Sequence, residues 1–93
     1  MSIPSLGIMA GPRTEGGAEI VEVASGSVAE LANLHAGDVI TSVDGKPVNT
    51  PMELAAELQN RAASSQVRLG YMFRGSALGY FAKETVVVLG PNK

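Results

Sequence analysis

The sequence predicts a small α+β domain of five to six short strands and two helices. Eleven glycines and five prolines in 93 residues punctuate the chain with tight turns, which suits short strands better than a helix bundle. Apolar residues alternate in several short runs, the period of a half-buried strand. Two other segments open with a capping signature and continue at helical spacing. The length is one domain's worth, and a domain of this size buries roughly 60–65% of its unfolded surface, enough for one modest core. With two tyrosines, two phenylalanines and no tryptophan, that core is expected to be aliphatic.

Leu6, Ile8 and Ala10 alternate in a first strand, and a polar, Gly-rich connector runs from Gly11 to Gly17. Ala18 to Val23 is the second strand, with Ile20 and Val23 directed at the core. Ser27, with Glu30 three residues on, forms a capping box for a short helix through Ala32. Asn33 follows where a left-handed residue closes a helix, and asparagine tolerates that conformation best after glycine. Val39 to Val43 meets Asp44-Gly45, a two-residue hairpin signal, and Lys46-Pro47-Val48 returns as a short strand. Thr50 caps a second helix, Pro51 takes its first position and Glu53 completes the capping box. Met52, Leu54, Ala55, Leu58 and Ala62 carry an apolar face to about Ala63. Val67 to Phe73 and Thr85 to Leu89 are the last strands, joined by a Gly-rich connection around Gly75 and Gly79.

The formal charge of −2 is dispersed along the chain, so no basic face is present to displace counterions from phosphates, and a nucleic-acid partner is not expected. No polybasic run occurs, and no apolar stretch approaches the ~20 residues of a membrane span, so direct membrane insertion is not expected either. The absence of cysteine removes disulfides and thiolate metal sites. The only histidine, His35, lies in the tight segment Asn33 to Asp38 and reads as a solvated loop residue. No strand–turn–helix elbow surrounds any serine, so no residue is assigned a catalytic role. Glu30 and Glu53 are caps, Glu19 and Glu22 fall on opposite faces of a strand and Asp44 is a turn residue; none forms an acid–base pair in a cleft. His35 with Asp38 is short of a closed metal site, and Gly11 to Gly17 lacks the lysine of a phosphate loop. Neither a metal nor a cofactor is expected.

One unusual element remains, Pro4-Ser5-Leu6-Gly7-Ile8. A glycine between two large apolar residues, just before a strand, lets the backbone aim several N–H groups one way. Such a nest holds a carboxylate without a charged side chain.

The order of these elements resembles PDZ domains of the bacterial type, attached to HtrA-like serine proteases and related envelope proteases. Three features carry the resemblance: SLGI at Ser5 to Ile8, which looks like the family's carboxylate-binding loop; the block SGSVAELANLHAGDVITSVDG from Ser25 to Gly45; and the Thr50 helix followed by VRLGYMFR and a closing VVVL strand. Val28 stands where the family usually has proline and Asn33 where it usually has glycine, both structural variations outside the groove. The chain opens on the carboxylate loop and ends on an apolar strand, the circularly permuted bacterial order.

The resemblance implies a PDZ-like, partly open β-barrel or sandwich, a single PDZ domain over residues 1–93 excised from a larger protein. It implies a non-catalytic module that captures C-terminal or unfolded peptide segments by strand addition. The ligand carboxylate would meet the N–H groups of Leu6, Gly7 and Ile8, and its strand would lie beside Met9 and Ala10. Pro51, Ala55, Leu58 and Ala62 would form the opposite wall, with Leu54 turned to the core and Leu58 shared between groove floor and core. The terminal side chain would enter a pocket of Leu6, Ile8, Ala55 and Leu58, favouring an apolar residue. Relatives that select Ser or Thr two residues before the terminus carry a histidine where this chain has Pro51, so loose, hydrophobic specificity is expected. The same resemblance implies a periplasmic or extracytoplasmic setting beside a protease domain; site-two metalloproteases and retropepsin-like proteases carry similar domains. The alternative reading is a structural adaptor of a secretion or envelope complex that docks a folded partner and leaves the groove unused.

Overall fold

The computed structural model describes residues 1–75 and 79–91. Seven strands and two helices follow in the order β1 (Ser2–Ile3), β2 (Ile8–Pro12), β3 (Ala18–Val23), α1 (Val28–Leu31), β4 (Val39–Val43), β5 (Lys46–Pro47), α2 (Pro51–Gln59), β6 (Gln66–Arg74) and β7 (Tyr80–Val88). All strands join one antiparallel sheet ordered β1-β2-β3-β4-β6-β7, with β5 a short side branch on β4. α2 packs against β2, β3 and β4, and α1 against β7.

Local chemistry accounts for the ends of these elements. The Ser27 hydroxyl accepts the Glu30 N–H at 3.2 Å, and the Glu30 carboxylate accepts the Gly26 N–H at 2.7 Å. At α2 the Thr50 hydroxyl accepts the Glu53 N–H at 3.0 Å, and Glu53 accepts the Asn49 N–H at 2.9 Å. In both boxes the glutamate reaches one residue upstream of the cap, which satisfies donors the helix cannot. Asn33 has φ 64°, the left-handed closure expected of it. Asp44 and Gly45 have φ of 50° and 83°, and Val43 pairs with Lys46, so the hairpin loop is the two-residue turn with both central φ positive.

Asp44 also ties this hairpin to the rest of the sheet. Its carboxylate accepts the Arg68 backbone N–H at 2.8 Å and pairs with Arg61. The Arg68 N–H first, and then the Arg61 guanidinium, hold the Asp44 pKa below its ordinary 3.8. A lowered folded-state pKa contributes stability above the unfolded value that is lost as pH falls through the folded value. Asp44→Asn is therefore expected to flatten the stability profile below about pH 4, read as a smaller drop in Tm between pH 5 and pH 2.5 than in the parent chain.

The core is aliphatic, built from Ile20, Ile40, Val43, Leu54, Val67 and Leu69 with Leu6, Ile8 and Ile3. Ile20 and Val23 are three residues apart, a spacing that a regular strand sends to opposite faces. The structure reconciles them with an irregularity: Ile8 pairs with Val23 and Met9 with Glu22, but Ala10 pairs with Ile20, leaving Val21 unpaired and 62% exposed. This bulge turns Ile20 fully inward and Val23 partly so.

Three elements depart from the sequence reading. β1 is a seventh strand where six at most were expected. β7 begins at Tyr80 rather than Thr85, because a full ladder to β6, Arg74 opposite Tyr80 through Gln66 opposite Val88, extends it over residues that are largely exposed. α2 ends at Gln59, short of Ala63. Past its end Asn60 is the cap, Ser64 takes φ 70° and the Ser65 hydroxyl bonds the Ala62 carbonyl, local bonding that competes with helix. The Gly75 to Gly79 connection includes residues 76–78, which lie outside the described residues.

Candidate functional site

β2 has β3 on one side, and its other edge faces α2. Along β2, Ile8 and Ala10 are buried, whereas Met9 is 42% exposed on the opposite face, between Ser2 and Glu22 of the flanking strands. This edge was expected to stand open. It is instead paired with β1, Ser2 opposite Met9 and Ile3 opposite Ile8. Met1 and Ala10 exchange both hydrogen bonds, at 2.9 and 2.7 Å. Unpaired edge groups beside an apolar slot favour pairing with any extended apolar segment within reach. Ile3, held extended by the following Pro4, supplies one.

The N–H groups of Leu6, Gly7 and Ile8 were expected to converge on a ligand carboxylate; the first two lie in the turn that joins β1 to β2. Gly7 has φ 75°, and the Leu6 and Gly7 N–H groups both donate to the Ile3 carbonyl oxygen, at 3.1 and 2.9 Å. The loop is braced from behind. Ala29 N–H donates to the Leu6 carbonyl at 3.0 Å, Ala24 N–H to that of Gly7 at 2.9 Å, and Gly90 N–H to that of Ser5 at 3.0 Å. Leu6 is fully buried, so the turn is anchored in the core as well as by hydrogen bonds.

Across from β1 stands α2. Pro51 and Leu58 are buried, Ala55 is half-buried, and Leu54 is wholly buried on the core side. Ala55, Leu58 and Gln59 line a cavity of about 80 Å³ with Met1 through Ser5, because the Ile3 side chain, 2% exposed, already fills most of the slot. Ala62, expected on the same stripe, is exposed and lies past the helix end, so it does not join this wall. Ser2, Ile3 and Gln59 were not singled out from the sequence. The Ile3-Pro4 pair was the available signal, an apolar residue forced to extended backbone just before the loop. The Ser5 hydroxyl is buried with no hydrogen-bond partner among the described residues.

A larger depression of about 620 Å³ lies elsewhere, between the His35 loop and the Tyr80 end of β7. It is open and carries charges of both signs from Glu19, Asp38, Arg74 and Lys83. Asp38 is committed to the turn, accepting the His35 N–H at 2.9 Å, and His35 is exposed. Among the described residues no three His, Cys, Asp or Glu side chains cluster as metal ligands, and no helix is long and apolar enough to cross a membrane.

An antiparallel sheet whose strand β2 is paired with β1 beside α2, and a turn whose Leu6 and Gly7 N–H groups meet at one carbonyl oxygen, frame the candidate site. The chain belongs to the PDZ domain family, which it matches over residues 4–78. As a PDZ domain it is a binding module, and its curated relatives include HtrA-like serine proteases. It is 39% identical over 62 residues to the periplasmic pH-dependent serine endoprotease DegQ of Escherichia coli, covering 67% of this chain and 14% of DegQ. It is 34% identical over 86 residues to the magnetosome formation protease MamE of Paramagnetospirillum magneticum, covering 92% of this chain and 11% of MamE. The chain thus spans about one seventh or less of the curated relatives it matches. Among solved structures, the peptide-bound PDZ domain of the carboxy-terminal protease from Vibrio cholerae shares the fold, with a TM-score of 0.69 at 21% identity over 97% of this chain and 96% of that one.

Proposed function

We propose that the chain captures extended, C-terminal or unfolded hydrophobic peptide segments by strand addition onto β2, in the groove between β2 and α2. The observation that carries this reading is the β2 edge itself: it holds an antiparallel segment whose last carbonyl oxygen receives the Leu6 and Gly7 N–H groups. An edge that accepts one strand offers the same ladder to another once the first is displaced. Two N–H donors that hold a neutral carbonyl hold a carboxylate more strongly. Leu6, Ile8, Ala10 and Leu58 belong to one buried apolar cluster with Ala55 packed against it, so an aliphatic or small aromatic terminal residue suits a slot opened among them. Pro51 has no N–H and no polar side-chain atom, so the ligand position two before the terminus is left unselected. Affinity on the order of micromolar follows from so small an apolar contact.

The likeness to DegQ and MamE supports a place within a larger protein, as the substrate-recognition or regulatory unit beside a protease domain. The periplasmic name of DegQ supports an extracytoplasmic setting.

The test is an NMR titration with a peptide library carrying free C-termini, repeated with the same peptides amidated. Free acids are expected to shift the amides of Leu6 to Ala10 and of Met52 to Gln59, and the amidated set to shift them far less. If neither set moves those resonances, peptide capture fails and the docking-adaptor reading replaces it.

A further inference from the structure

The groove carries its own occupant, and the match to a ligand is detailed. β1 runs antiparallel to β2 with its C-terminal end at the Leu6-Gly7 turn, the direction an added peptide C-terminus takes. The Ile3 carbonyl oxygen sits on the Leu6 and Gly7 N–H groups, the position of a terminal carboxylate oxygen. The Ile3 side chain is 2% exposed beside the Ala55 and Leu58 wall, the position of a terminal apolar side chain. Ser2 and Pro4, on either side, are exposed, so the hold on this short strand is concentrated in one residue.

We infer that Ser2-Ile3 is an intramolecular stand-in for the ligand, and that peptide capture is an exchange in which the incoming C-terminus displaces it. This inference rests on the peptide-groove reading above. The stand-in is poised to lose to a true C-terminus. It offers the nest a neutral carbonyl, whereas the ligand offers an anionic carboxylate, whose hydrogen bonds are roughly twice as strong. It holds its place through high effective concentration rather than contact area. The consequence is a threshold: apparent affinity is the intrinsic affinity multiplied by the fraction of molecules with the groove open. Weakly matched peptides are excluded, while peptides ending in a carboxylate and an aliphatic side chain are admitted. The stand-in also names the preferred ligand, a chain ending in Ser-Ile or a close analogue.

A reversible lock tests this. Met1 and Ala10 exchange both hydrogen bonds, so Ser2 and Met9 are the adjacent non-hydrogen-bonded pair, whose Cα atoms approach closely enough for a disulfide. The chain has no cysteine, so Ser2→Cys with Met9→Cys gives one bridge in the full chain. The probe is a fluorescein-labelled decapeptide ending in Ser-Ile with a free carboxylate. The reduced protein is expected to bind it and the oxidised protein to lose binding, with recovery on adding reductant. Ile3→Ala, made separately, empties the slot and is expected to raise affinity for the same peptide by about 10–100-fold, the gain from opening a site that is open in 1–10% of molecules. Equal binding by the oxidised and reduced forms, or no gain in Ile3→Ala, overturns the stand-in while leaving peptide capture intact. Absence of binding by every form, including Ile3→Ala, removes peptide capture itself and the stand-in with it.

Discussion

Gly7→Ala is expected to lower stability by about 3 kcal/mol or more, a drop in Tm of roughly 12–24 °C for a domain of this size. Two effects add. Gly7 sits at φ 75°, where an alanine is strained by about 1–2 kcal/mol. Its new Cβ would also stand 2.3 Å from the Ser27 Cβ, far inside the 3.5–4.0 Å at which carbon atoms rest. Ser27 cannot retreat freely, because its hydroxyl caps α1 through the Glu30 N–H. Forcing such an overlap typically adds another 1–3 kcal/mol. Gly26→Ala separates the two effects: Gly26 has the same φ of 75° but nothing within 4 Å of the added carbon, so only strain remains and the loss should be about 1–2 kcal/mol. Urea unfolding of both variants measures the difference. Equal losses would mean that α1 shifts as a unit to admit the methyl group, and that the turn is less rigidly braced than its hydrogen bonds imply.

Leu54→Ala is the second large effect, with an expected loss of about 2–5 kcal/mol and a Tm lowered by about 10 °C or more. Leu54 is wholly buried and, with Leu58, joins α2 to the core of the sheet. Removing it leaves a cavity between the helix and β4 that the surrounding Val and Ile side chains, stiff at χ1, fill poorly. Met52→Ala on the same helix is the comparison. Met52 is 70% exposed, and its truncation should change stability by no more than about 0.5 kcal/mol. If the two losses were alike, α2 would not be anchored as its burial pattern indicates, and the groove wall it forms would be loosely placed.

How much of this was legible beforehand depends on how far each signal reaches along the chain. The Ser27 and Thr50 caps, the left-handed Asn33 and the Asp44-Gly45 hairpin were all readable, because each depends on bonds among residues a few positions apart. Leu54 facing the core followed from helical spacing. The end of α2 was misjudged by four residues, since Ala62 and Ala63 are good helix formers and only the chain's need to turn into β6 overrules them. The length of β7 was missed because its first half is exposed and draws its order from the ladder to β6.

The sequence by itself determined the family, the order of the elements after β1 and the turn at Gly7, since these are written in local patterns of glycine, caps and apolar alternation. Only the tertiary structure decided that Ser2-Ile3 closes the sheet, that Val21 bulges out so that Ile20 and Val23 share a face, and that the slot between β2 and α2 is already filled. Those outcomes depend on which edge is unpaired and which cavity is apolar once distant segments have met. A two-residue strand has no propensity of its own to announce it. Its stability comes from the β2 edge, the Leu6-Gly7 N–H groups and the α2 wall, which come together only in the folded chain.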